Sequence, residues 1–165
     1  LHRLIRRQRQ MCIRDSFTGD EARISHAMKV LDFAEKIRAE EGGDPLVVTA
    51  AAILHDIGIR QAEARHGSAA GKFQEMEGPP IARAILQKLG VDSDRVEHVC
   101  DIVGNHHTRG GVDSLEFRII RDADRLVAEE ESSGAGRAPR EPATYLEWAY
   151  RTEAGRALAS EKFTR

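Results

Sequence analysis

Between Asp44 and Gly58 the chain reads DPLVVTAAAILHDIG, and this stretch limits the fold more than any other. Asp44 is placed to cap a helix whose first position is Pro45, and the residues that follow stay apolar until Gly58 stops them. A helix that is apolar all round belongs at a domain centre, so other elements must cover it on every side. Yet His55 and Asp56 interrupt the run at its end. An imidazole beside a carboxylate is costly to bury unless each finds a partner.

The neighbouring stretches follow a helical grammar. DEARISHAMKVLDFAEKIRAEEGG sets Ile24, Ala27, Met28, Val30, Leu31, Ala34 and Ile37 at helical spacing, carries His26 near its start, and ends on Gly42 and Gly43. GPPIARAILQKLG starts with prolines in its first turn and repeats Ile81, Ile85, Leu86 and Leu89 before Gly90. DSDRVEHVCDIVGNHH turns Val96, Val99, Cys100 and Val103 inward and delivers Asn105, His106 and His107 at its end. SLEFRIIRDADRLVAEEE forms a stripe of Leu115, Ile119, Ala123 and Leu126, with residues 128–131 read as a solvated helix end. Residues 59–78, rich in small and polar side chains, read as a surface loop bearing His66, and SSGAGRAPREP reads as a flexible loop. ATYLEWAYRTEAGRALASEKF supplies a last helical region whose Tyr145, Trp148 and Tyr150 suit core or lid packing. With no alternating strand pattern and no internal repeat, the expected architecture is all-α.

A length of 165 residues suits one cored domain. No apolar run approaches the roughly 20 residues of a membrane span, and the Arg-rich opening lacks a secretory apolar region, so a cytoplasmic protein is expected. Cys12 and Cys100 have no CxxC partner, which disfavours a thiolate zinc site and leaves nitrogen and oxygen ligands for any metal. The opening LHRLIRRQRQMCIRDS holds five Arg against one acidic residue. Back-translated, RRQRQMCIRDS is compatible with a transposon-end adaptor of shotgun libraries. Residues 1–16 are therefore expected to be read-through from metagenomic sequencing, and 17–165 a single domain. Without that segment the chain carries 20 basic and 26 acidic side chains, a formal −6. So acidic a body disfavours unspecific nucleic-acid binding.

Imidazoles and carboxylates stand near the ends of three apolar helices: His26, the His55–Asp56 pair, and Asp122 with Asp124. Shared coordination of a cation offsets the cost of burying them. Histidine nitrogen with carboxylate oxygen suits manganese, iron, cobalt, nickel or zinc, with magnesium less natural beside two imidazoles. For His98 and Cys100 the plainer readings, surface and core respectively, are preferred.

An early helical His, then LHDIG, then HH, then DADRL: in this order the chain resembles the HD-domain superfamily of metal-dependent phosphohydrolases, from Ile24 to Leu126. The resemblance implies an HD-type helical core of about five to seven helices. It also implies a metal held by His26, His55, Asp56 and Asp124, with Asp122 behind them orienting a ligand or a water. The implied reaction is hydrolysis of a phosphate ester of a small metabolite or nucleotide, in which Asp56 takes a proton from the attacking water. Arg23, Arg60 and Arg125 are then candidates to neutralise the phosphate. In binuclear branches of the superfamily a further His joins a second metal. Here its place falls on Gln74, so Glu75 or Glu77 with His106 and His107 is the set for a second ion, and both one-ion and two-ion sites stay open. The sequence TRGGVDS after His107 lacks the GYP signature of the HD-GYP cyclic-dinucleotide phosphodiesterases. Other readings are a diiron oxygenase, since the superfamily includes myo-inositol oxygenase, and a regulatory binding module without activity. Self-association as a homodimer is left open.

Overall fold

The computed structural model describes residues 20–108, 111–133 and 143–163. The segment 1–16 and its boundary at Phe17 lie outside the described residues, as does most of the stretch 132–142 read as a loop. The described chain is all-α. Its helices are α1 (Glu21–Glu41), α2 (Pro45–Leu54), α3 (Ile59–His66), α4 (Gly71–Lys88), α5 (Ser93–Val103), α6 (Leu115–Ser133), α7 (Ala143–Ala149) and α8 (Glu153–Phe163). No helix among them is long and apolar enough to cross a membrane.

The helix over 45–54 forms as its caps dictate. The Asp44 carboxylate accepts the backbone N–H groups of Leu46 at 2.8 Å and Val47 at 3.2 Å, and Pro45 opens the first turn. Ten residues are too few for a stable isolated helix. Burial of Val47, Val48, Ile53 and Leu54, at roughly 1.5–3 kcal/mol per side chain, supplies what local propensity lacks. α1, α5 and α6 pack around α2, which is therefore the central element expected from its sequence. α1 starts where Asp20 accepts the Arg23 N–H and stops at Gly42, whose φ of 88° suits glycine.

Residues 59–78 correct the expected surface loop: apart from a short connection at 67–70 they form α3 and the first part of α4. α4 runs straight through Pro79 and Pro80, which the sequence placed at a helix start. The reason is tertiary. Gln74, Glu77 and Gly78 are buried, and the backbone of α4 lies directly on Gly58, where a Cβ would stand 2.4 Å from the Gln74 carbonyl oxygen. His66 closes α3 rather than sitting on a loop. Its ring stacks on Phe73 at 4.3 Å, and its Nε2 lies 3.0 Å from Glu77. The C-terminal part of α6 is not a bare solvated end either. Glu129 accepts hydrogen bonds from the hydroxyls of Tyr145 (3.0 Å) and Tyr150 (2.8 Å) and from Arg125 Nε (3.0 Å). Tyr150 is fully buried, whereas Trp148 is exposed.

Candidate metal centre

Four helices turn their candidate ligands toward one place. His26 lies in the second turn of α1, His55 caps the C-terminus of α2, and Asp56 sits in the turn that follows. His106 and His107 come just after α5, and Asp124 lies midway along α6.

His55 and His106 are held in the same manner. The Nδ1 of each donates to the carbonyl three residues earlier, Ala52 at 2.9 Å and Val103 at 2.8 Å. That bond fixes the ring and aims Nε2 inward. Both Nε2 atoms are buried and make no hydrogen bond. The Asp56 carboxylate stands between them, with Oδ2 3.4 Å from His55 Nε2 and Oδ1 3.5 Å from His106 Nε2. His26 Nε2 lies 3.1 Å from Asp124 Oδ1 and 3.9 Å from Asp56 Oδ2, and His55 Nε2 lies 3.7 Å from Asp124 Oδ1. Metal–ligand bonds of about 2.1 Å set neighbouring ligand atoms roughly 3.0–3.5 Å apart, so most of these separations suit atoms sharing an ion. Two groups emerge, His26–His55–Asp124 and Asp56–His106–His107, each with ligand atoms within 4.8 Å of one another. One Asp56 oxygen faces each group.

The electrostatics fit a cation. Burial alone would lower the His55 pKa, but the charges of Asp56 and Asp124 outweigh it and push it up to about 9. Burial likewise acts to raise Asp56, yet His55 and His106 hold its carboxyl far below the usual range. The Asp124 hydrogen bond raises His26, and against burial His26 and His55 keep the Asp124 carboxyl low. A divalent ion here competes with the proton on His55, so binding it is linked to proton release. Burial, then His106, lowers the His107 pKa, which favours the neutral form that a ligand needs.

Other expected residues fall elsewhere. Gln74 Nε2 donates to the Ala69 carbonyl at 2.7 Å, which fixes the amide so that its oxygen accepts from His107 Nε2 at 3.2 Å. Gln74 thus orients His107. Glu75 is not aimed at a second ion: it accepts the backbone N–H groups of His107 (2.9 Å) and Thr108 (2.7 Å) and the Thr108 hydroxyl, holding the turn after α5. Glu77 is buried against Arg65 and His66, in neither group. The role expected for Asp122 is replaced by a cap on α8, where its carboxylate accepts the N–H groups of Arg151 and Thr152 and the Thr152 hydroxyl at 2.6–3.0 Å. Arg23 pairs with Asp20 and Glu63, and Arg60 is exposed on α3; neither lines the cavity beside the ligands. Arg125 does line it, as do His106, His107 and Asp124. That cavity holds about 500 Å³. Sequence reasoning missed Glu131, whose Oε2 accepts from His26 Nδ1 at 3.3 Å while Lys29 donates to its Oε1 at 3.1 Å.

The HD domain family matches residues 23–129, which is α1 through most of α6, and the chain belongs to that family. Its structure is similar to that of a predicted HD superfamily hydrolase from an uncultured Thermotogales bacterium, with a TM-score of 0.69 and 29% identity over 96% of this chain and 84% of the other. An HD-superfamily hydrolase from Bacillus thuringiensis shares the fold at a TM-score of 0.58 and 21% identity, over 94% of this chain and 92% of the other. No curated protein matches the chain. HD domains generally bind divalent metals, and the two ligand groups described above are of that kind.

Proposed function

We propose that the protein is a metal-dependent phosphohydrolase, cleaving a phosphate ester of a small metabolite or nucleotide with an activated water. One observation carries this reading: two buried imidazole nitrogens, on His55 and His106, face the two oxygens of one carboxylate and have no hydrogen-bond partner of their own. His26, His55, Asp56 and Asp124 would hold one divalent ion, and His106 and His107 with the other oxygen of Asp56 a second. Such an ion supplies Lewis acidity, lowering the pKa of a water from about 15.7 towards 7 and drawing charge from a phosphoryl oxygen. Asp56, strongly biased to the carboxylate form, is placed to take the proton that water gives up. The apolar body of α2 holds Asp56 and His55 rigid, which preserves their mutual geometry through the reaction. Arg125 faces the cavity with its guanidinium braced by Glu129 and Tyr145, at a place to neutralise a phosphate oxygen.

The test combines metal content by mass spectrometry with hydrolysis of 4-nitrophenyl phosphate under manganese, iron, cobalt, nickel, zinc or magnesium. His55→Ala and Asp124→Ala are expected to abolish both metal retention and turnover. His98→Ala is expected to keep both, since its ring bonds Ser114 outside the two groups. Metal retained by His55→Ala at the parent level overturns the site. Bound iron with oxygen uptake and no phosphatase activity points instead to the oxygenase reading, and silence with every metal to a binding module.

A further inference from the structure

We infer that the substrate carries a second anionic group, apart from the phosphate at the metal ligands, and that Arg121 and Arg151 receive it. This rests on the phosphohydrolase reading above. A volume of about 500 Å³ is in the range of pockets that enclose a whole metabolite, about 300–1,000 Å³, rather than a phosphate alone. Arg121 and Arg151 line this cavity and also two smaller ones of about 290 and 250 Å³, so they stand where the main cavity continues away from the ligands.

Most of the acidic side chains around that space are committed. Asp124 belongs to the metal group, Glu129 braces Arg125, Tyr145 and Tyr150, and Asp122 is consumed by the start of α8. Asp113 pairs with Arg118 at 2.6 Å, with Arg151 a weaker influence on it, while Glu147 is exposed at the rim of one of the smaller cavities that Arg121 and Arg151 line. The Arg151 guanidinium has no hydrogen bond or ion pair among the described residues, and that of Arg121 lies over the Phe117 ring at 5.8 Å. Positive charge gathered on one wall of an acidic chain selects for an anion. The wall is also built to hold it. The buried Asp122 carboxylate grips the backbone N–H of Arg151 at 2.9 Å, which pins the base of that side chain beside the cavity. On α6, Arg121 precedes Asp124 by three residues, about 4.5 Å of helix rise. Arg121 thus stands about one helical turn from a metal-group residue, near enough for a short carbon chain to join the two anions.

The experiment compares alkane-1,n-diol bisphosphates of two to six carbons with ω-hydroxyalkyl monophosphates of the same length. A preference of at least tenfold in kcat/KM for some bisphosphate is expected, falling to near one in the Arg121→Gln/Arg151→Gln double variant. Arg151→Gln alone, at an exposed side chain, repeats the test if the double variant unfolds. ω-Carboxyalkyl phosphates show whether a carboxylate serves as well as a phosphate, either of which supports the inference. Calorimetric titration with the matching bisphosphonates and monophosphonates gives a reading without turnover. Equal affinity for the two, or a preference that survives the substitutions, overturns the inference. Preferential bisphosphonate binding by a protein that hydrolyses no phosphate refutes the reaction and leaves the two-anion site standing.

Discussion

Replacing Gly58 with alanine separates two opposed expectations. Gly58 has φ −74° and ψ −16°, ordinary helical geometry in which alanine is welcome. By conformational entropy alone the substitution would stabilise the fold by about 0.4–1 kcal/mol. The packing says the reverse. The new Cβ would stand 2.4 Å from the Gln74 carbonyl oxygen, 2.8 Å from the Gly78 nitrogen and 3.0 Å from the Gly78 Cα. All three are backbone atoms of α4, so no side chain can rotate away, and restoring ordinary contact needs a shift of about 1 Å between the α2–α3 turn and α4. Overpacking of this kind costs about 1–3 kcal/mol, and rigid backbone on both sides favours the upper end. At about 2–4 °C per kcal/mol for a chain of this size, the melting temperature of the metal-free protein should fall by about 6–12 °C. Asp56 lies two residues away, and a binding constellation must be held to within about 0.5 Å, so metal affinity should fall with it. Calorimetric melting with and without metal, together with a metal dissociation constant, reads both effects. A variant that melts at or above the parent temperature with unchanged affinity refutes the close-approach reasoning.

Glu131→Gln weakens the partner that orients His26 without touching the core, so metal affinity should drop about tenfold, at the low end for such outer partners, while the metal-free melting temperature stays put. A competitive metal titration with a chromogenic chelator measures it. Acid stability gives a further check at Asp44. Burial opposes it, but Arg95 and the N–H groups of Leu46 and Val47 hold its carboxyl below the ordinary 3.8. Because the folded pKa is the lower one, the stabilisation is present above pH 3.8 and is lost as pH falls through the folded value. Urea midpoints taken from pH 6 to pH 3 should therefore decline less steeply in Asp44→Asn than in the parent, and parallel curves would remove Asp44 from the acid transition.

What the sequence made legible is what local rules encode. Asp44 with Pro45 announces the start of the central helix, and the 3.6-residue spacing marks the buried faces of α1, α5 and α6. His26, HD and DADRL stand out because such groups are costly to bury unpartnered. The partners that set their roles were invisible, because they come from far along the chain. Glu75 meets His107 across 32 positions, Asp122 meets Thr152 across 30, and His26 meets Glu131 across 105. None of these pairings leaves a periodic trace. α3 and the start of α4 were hidden for a related reason. Their residues are weakly apolar and are followed by two prolines, which cost a helix interior about 3 kcal/mol, so only the packing of α4 on Gly58 reveals a continuous helix.

The shared fastening of His55 and His106 has an electrical consequence. Each ring is tied to a carbonyl in the final turn of its helix, so α2 and α5 both direct their carboxyl ends at the same spot. Each such end bears roughly half a negative elementary charge from aligned peptide dipoles. Together they add to Asp56 and Asp124 the equivalent of about one more anion, written in the main chain where side-chain substitution cannot erase it. On the phosphohydrolase reading, a phosphate would be repelled there until a cation arrives, so the direction in which two helices run would set the order of loading, metal before substrate.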